Sequence, residues 1–314
     1  MTPLREQELA VLRSVIYASI FDYPLTLEQL HQSLIGVGAD KHSIAKWWQS
    51  SEMLQSAVEY RDGLFFPAGR SDLIATRSRR ETLSRQLLDR DQRILSMISR
   101  MPFVRMVALS GSLAHLNAEG SADLDLFVIT APNRVWSVTV AVLVLSRLFG
   151  WRRHLCLNYV VSENTMKIVP EDLFTANQII HLRPTCGRDV FARFLYTNQF
   201  VRNFYPNFEL KTDLKTSGPQ DLKTFFERII SFGPAQLAER CARRLYGWHL
   251  RRKATTWQSR DEVRLEDECL KLHTSSHRTK TLARFDAAMR AALDKKPHEA
   301  TNDTKTALVN AGAA

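Results

Sequence analysis

Cysteine is scarce and scattered: four residues, at 156, 186, 241 and 269, in a chain of 314, with no Cys-x-x-Cys pair. That spacing supplies neither a zinc ligand set nor a disulfide framework. The opening residues, Met1-Thr2-Pro3-Leu4-Arg5-Glu6-Gln7-Glu8, have neither the basic start nor the apolar core of a secretory signal. Long apolar runs are missing as well. Val135 to Phe149 is notably apolar, but it falls short of the roughly 20 residues that span a bilayer, and Arg147 interrupts it. A buried helix behind a sheet is the expectation there. No internal repeat is visible. Together these absences predict a cytoplasmic protein with no membrane partner.

What the chain does carry is positive charge. Forty-three basic residues against 33 acidic ones leave a formal excess of +10. Such a balance favours anionic partners, whether nucleic acid, nucleotide, phosphate or anionic lipid, and it is equally the signature of a plain solvated surface. A hydrophobic content of 45% is that of a folded protein, and the length suits two or three modest domains.

Along the chain, Leu9, Leu12, Ile16 and Ile20 form a helical stripe that Asp22-Tyr23-Pro24 ends. Thr26 with Gln29 makes a capping box for a second helix running to Ile35. Ser43 to Leu54 reads as a third helix, with Trp47 and Trp48 as packing residues. Ala57–Tyr60 and Leu64–Phe66 flank Asp62-Gly63, a hairpin signal. Three helices and a hairpin predict a winged helix-turn-helix over residues 1–75. A polar, arginine-rich helix, Arg77–Arg100, leads into an α/β stretch with strands at Phe103–Leu109, Asp123–Thr130 and His154–Val161. A helix opening at Pro170-Glu171-Asp172 ends before Pro184. The pattern predicts a second domain over 76–210. Lys211–Gln220 reads as a linker, residues 211–300 as a basic helical region and 301–314 as a flexible tail.

The chemically informative segment is Ser110-Gly111-Ser112, ten residues, then Asp123-Leu124-Asp125-Leu126. Residues two apart on a strand share a face, so Asp123 and Asp125 project together while Leu124 and Leu126 enter the core. Two carboxylates side by side repel unless a cation lies between them. Mg²⁺ or Mn²⁺, held through carboxylates and substrate phosphates, suits that arrangement. Gly111 lets the backbone approach a phosphate closely, and Ser112 adds a hydroxyl and an N–H.

This segment resembles the nucleotidyltransferase superfamily that includes DNA polymerase beta, whose signature is Gly-Gly or Gly-Ser, a spacer, then Asp-apolar-Asp or Glu. The resemblance covers about sixty residues of the 314. It implies an α+β fold: a small mixed sheet with flanking helices, here preceded by the winged helix and followed by the helical region. It also implies metal held by Asp123 and Asp125, and a third carboxylate from a later central strand. The matching strand here offers Asn158, on the face of Cys156 and opposite to Leu155, Leu157, Tyr159 and Val161 if alternation is regular. An amide oxygen can ligate a metal but cannot act as a base at neutral pH. Glu163 is the one acid nearby and lies past the strand end.

Weaker readings attach to other residues. Arg134 can reach a phosphate or simply start a helix in solvent. His115 in the spacer reads as an exposed turn residue. Two functions are expected on these grounds. One is an enzyme moving a nucleoside monophosphate from a nucleoside triphosphate to an unidentified hydroxyl-bearing acceptor, with Asp123, Asp125 and Asn158 at the chemistry and Gly111, Ser112 and Arg134 on the nucleotide. The other is a catalytically weak nucleotide-binding or nucleic-acid-binding regulator acting through the winged helix. Its third helix offers only Lys41, His42, Lys46 and Gln49 as groove-reading residues.

Overall fold

The structure is a computed structural model that describes residues 4–120, 122–209, 227, 234–272 and 277–294. The expected linker 211–220 and tail 301–314 lie outside the described residues.

Residues 4–70 make a helical lobe with its own core. Helix α1 (Glu6–Ser19) buries Val11, Leu12, Val15 and Ile16. Helix α2 (Leu27–Gln32) starts at the expected capping box: Gln29 N donates to Thr26 Oγ1 at 3.2 Å and Thr26 N donates to Gln29 Oε1 at 3.1 Å. The single helix expected over Ser43–Leu54 is instead two, α3 (Lys41–Ser50) and α4 (Glu52–Ala57). The reason is Ser51. Its backbone is extended and its hydroxyl accepts from Leu54 N at 3.2 Å, so it caps a new helix rather than continuing the old one. Strands β1 (Val58–Arg61) and β2 (Leu64–Pro67) pair antiparallel around Asp62-Gly63, both at positive φ as a tight hairpin turn requires. Trp48 is buried and donates its indole N–H to Val58 O at 2.8 Å, which settles it as packing.

Helix α5 (Asp72–Arg100) runs from this lobe to the sheet, burying Leu87, Ile94 and Ile98 while its polar face carries ion pairs such as Arg85–Glu81. The remaining elements are strand β3 (Val104–Leu109), short helix α6 (Gly111–Ala114), strand β4 (Leu124–Thr130), helix α7 (Val135–Leu148), strand β5 (Leu155–Ser162), helix α8 (Leu173–Ile180), strand β6 (Arg183–Cys186), helices α9 (Arg188–Thr197), α10 (Val201–Phe204) and α11 (Pro234–Lys253), strands β7 (Val263–Leu265) and β8 (Cys269–Leu272), and helix α12 (Arg278–Asp294).

Six strands form one mixed sheet in the order β6-β3-β4-β5-β8-β7. Only β4 and β5 are parallel, joined by α7 as the crossover; the other pairs are antiparallel. The class is therefore α+β. The apolar run 135–149 is the expected buried helix at Val135, Trp136, Val138 and Val142. Among the described residues no helix is long and apolar enough to cross a membrane.

The expectation of a purely helical region beyond 211 is corrected. Residues 263–272 contribute β7 and β8, and β8 pairs with β5 through Val160↔Leu270 and Val161↔Cys269. Strands of three and four residues carry too little alternation to be read beside arginine-rich helices. This later stretch completes the sheet. Pro184, expected to stop a helix, sits on edge strand β6, where a missing N–H is tolerated.

The sheet has a core on each face. On the first, Leu124, Leu126 and Val128 pack with α5, α7 and α11; on the second, Met106, Ala108, Phe127 and Ile129 pack with α8, α9 and the end of α1. One long-range contact fastens the first face. Buried Glu239 of α11 accepts from Trp136 N at 2.9 Å and Ser137 N at 2.7 Å, satisfying the free amides that begin α7. Glu239→Ala strands both, so we expect a loss of about 2–3 kcal/mol in urea unfolding, whereas Glu239→Gln, which keeps one acceptor oxygen, loses less.

Candidate functional site

Strand β4 begins at Leu124, and its alternation sorts the side chains between the two faces of the sheet. Leu124 and Leu126 are fully buried on the first face, while Asp125 stands with Phe127 on the second. Asp123, just ahead of the strand, lines the same cavity as Asp125. The turn after β3 is locked to this strand, since Ser110 N donates to Asp125 O at 2.9 Å. Gly111 opens α6 at φ +63°, and an added Cβ there would collide with Asp125 Oδ2 and stand 3.1 Å from its Cγ. Both conditions demand glycine. Ser112 lies on the same wall of the cavity.

Regular alternation on β5 does not hold. Leu126 pairs with Leu157 but Phe127 pairs with Tyr159, so Asn158 has no opposite residue and forms a bulge. Leu155, Leu157 and Val160 face the first core, whereas Tyr159 and Val161 join the second. The expectation that Leu157 and Tyr159 share a face is thereby corrected. Asn158 nevertheless ends where regular alternation placed it: its Nδ2 donates to Asp125 Oδ1 at 2.6 Å. Cys156 Sγ lies 3.5 Å from Asp123 Oδ2. Asp123, Asp125, Asn158, Gly111 and Ser112 thus meet in one place.

Two other expectations fail, those for Arg134 and His115. Arg134 comes after the far end of β4, roughly 20 Å from Asp125 at the rise of a strand. Its guanidinium stacks over the Phe103 ring at 4.7 Å and donates to Asn133 O at 2.7 Å. It is not a lining residue of the cavity. Glu163 sits at that far end too, paired with Arg193 at 2.6 Å and Arg105 at 3.5 Å. His115, expected as an exposed turn residue, is largely enclosed and stacks on His181 with ring centroids 4.0 Å apart.

The five residues stand at a cavity of about 680 Å³ between the second face of the sheet, α1 and α8. Phe21, Phe127 and Ile168 give it apolar walls, and no lysine or arginine lines it among the described residues. Tyr17 and His181 also stand on its wall, supplied by elements far apart in the chain. No local pattern in the sequence announces their meeting.

Burial pushes the Asp125 carboxyl up to about 6, an effect the adjacent Asp123 carboxylate reinforces and the Asn158 hydrogen bond partly offsets. Burial, with the two aspartates, also drives the Cys156 thiol to about 12, so it is a neutral donor and no nucleophile. Among the described residues no three-ligand cluster of His, Cys, Asp or Glu could hold a metal by itself. Two carboxylates and an amide are an incomplete set. They fit a hard divalent cation whose shell is completed by water and substrate phosphate.

Gly111→Ala should cost several kcal/mol at φ +63° against Asp125, read by thermal melting, and should abolish ligand binding. A second test concerns pH. The unfolded Asp125 carboxyl titrates near ~3.9 and the folded one at about 6, so between these the native state binds more protons. Its stability contribution therefore falls as pH rises through that window. Above pH 6 the metal-free carboxylate costs at most about 2–3 kcal/mol. Asp125→Asn should stabilise the metal-free protein at pH 7 in chemical denaturation, with the gain fading towards pH 4.

Comparison of the chain with protein-family models, with curated proteins and with solved structures gives no match, so the reading of this site rests on its own geometry.

Proposed function

We infer that the protein is a Mg²⁺- or Mn²⁺-dependent nucleotidyltransferase that moves a nucleoside monophosphate from a nucleoside triphosphate to a hydroxyl-bearing acceptor. The observation that carries this reading is the convergence of Asp123 and Asp125 beneath the Ser110-Gly111-Ser112 turn, at the wall of a ligand-sized cavity. Asp123 and Asp125 would hold the cation, which supplies charge neutralisation for an in-line displacement. The acceptor oxygen attacks the α-phosphorus, the bond to the bridging oxygen of the β-phosphate breaks, and pyrophosphate leaves with that electron pair. The hydroxyl proton passes to a carboxylate of the cleft. Gly111 and Ser112 offer close backbone approach and a hydroxyl to the phosphates. Since no lysine or arginine lines the cavity among the described residues, phosphate charge would fall mainly to the metal, with Arg152 near enough for its charge to be felt at Cys156.

Asn158 favours a second reading, a slow or inactive nucleotide binder. It is neutral where the resemblance implies a charge, and it is engaged with Asp125. In that case the lobe of α1–α4 and its hairpin is the effector end, read as a winged helix. Its third helix buries Ile44, Ala45 and Trp48 and pairs Lys41 with Glu28 at 3.2 Å, which leaves little charge for a nucleic-acid groove. DNA or RNA binding by the full chain should therefore be weak and fall steeply with salt.

Calorimetry should show triphosphate binding that requires Mg²⁺ and disappears in the double variant Asp123→Ala, Asp125→Ala. Equal binding by folded wild type and double variant would sink the transferase reading. Asn158→Asp crowds three carboxylates. It should melt lower than wild type in chelator yet show the larger upward Tm shift on adding Mg²⁺, and transfer should rise with it.

A further inference from the structure

The cavity is far more apolar than a triphosphate needs. We propose that its inner part, between α1, α8 and the sheet, binds the acceptor, and that this acceptor is a small, uncharged, largely apolar compound that carries a hydroxyl group. This deepens the transferase reading and rests on it for the ligand's role as acceptor.

Three observations converge. The first is the lining: Phe21, Phe127, Phe174, Ile168 and Ile179 present carbon to the interior, and no lysine or arginine does so among the described residues. A phosphorylated or acidic acceptor would meet no counter-charge. A volume near 680 Å³ between helices and sheet is that of a small-molecule site.

The second is His181. Its Nδ1 lies 2.8 Å from Asn177 O, and a carbonyl can only accept, so Nδ1 carries the proton. Burial holds the ring neutral, its pKa lowered to about 4. Nε2 is then a lone-pair acceptor, fixed by its partner and suited to a ligand hydroxyl. His115 stacks against this ring and is also held neutral by burial and by His181.

The third is the polar share of the wall. Ser14, Ser33, Thr175 and Gln178 stand among the apolar side chains, so the compartment suits an uncharged ligand that combines an apolar body with a hydroxyl. Tyr17, 3% exposed, belongs to the same wall, but its hydroxyl, which has no partner among the described residues, is buried away from the cavity.

The 314-residue chain is titrated with 2-naphthol, followed by the fluorescence of the naphthol, and with adenosine and MgATP by calorimetry. Wild type is expected to bind 2-naphthol saturably and with little salt dependence. The variant Asp123→Asn with Asp125→Asn should bind it within about threefold of wild type while losing MgATP. Ala18→Phe, which fills the cavity from α1, should weaken 2-naphthol at least tenfold. His181→Phe, which keeps the ring and removes the acceptor, should weaken it several-fold, and melting curves establish that each variant is folded. Should Ala18→Phe fail to fold, His181→Phe alone decides. Absence of 2-naphthol binding in a wild type that binds MgATP overturns this proposal and leaves the transferase reading standing. Adenosine binding without 2-naphthol binding also overturns it, and assigns the compartment to the nucleobase of the donor. Binding of 2-naphthol without MgATP supports the compartment and sinks the transferase reading instead.

Discussion

A glycine with no room for a methyl group stands against the Asp125 carboxylate at the start of β4. A side chain at Gly111 would be strained by its positive φ, and Asp125 occupies the space that a side chain would take. The contact fixes the turn after β3 to the strand beside it, and the Ser110 amide on the Asp125 carbonyl repeats the constraint through the backbone. Asp125 is then held beside Asp123 in a half-buried setting that disfavours its charge. The fold thereby keeps an ionisable group where burial opposes its charge. Strain of this sort is a common mark of a site shaped for a ligand.

The bulge at Asn158 belongs to the same constraint. An extra residue in β5 lets the amide lean onto Asp125 while Tyr159 and Val161 still reach the second core. Without it, the strand would have to choose between presenting the amide and burying Tyr159. Elements from opposite ends of the described chain then close over the result. Helix α12 lays Phe285 edge-on against Tyr17 at 5.2 Å, donates from Arg284 to Ile20 O at 3.2 Å, and ties Arg278 Nε to Asp172 at 2.6 Å. The wall of the cavity formed by α1 is thus supported by residues more than two hundred positions later in the chain.

What could be read from the sequence was local. Gly111-Ser112 and Asp123-x-Asp125 lie within one turn and one strand, so a period of two was enough to put both aspartates on one side. The capping box at Thr26 and the hairpin at Asp62-Gly63 were legible for the same reason. Arg134 was misplaced because nearness in sequence along an extended strand is distance in space. The parity of β5 was misjudged because the register shift against β4 that places the bulge is not visible in its own residues. His115, His181 and Tyr17 come from three elements, and only tertiary packing brings them to one wall. Strands β7 and β8 were hidden by their brevity.

The position of β8 has a consequence for how the chain is made. Strand β5 is central in the finished sheet, yet its second neighbour is translated roughly a hundred residues after it. Until Cys269–Leu272 emerges, a growing chain that has already paired β4 with β5 carries an open edge along Tyr159-Val160-Val161, apolar and rich in β-branched residues. At ~5–20 residues per second that interval lasts roughly 5–20 seconds. A ribosome-bound intermediate of this protein is therefore a four-stranded sheet with an adhesive flank, and the segment that caps it leaves the exit tunnel long after the strand it covers.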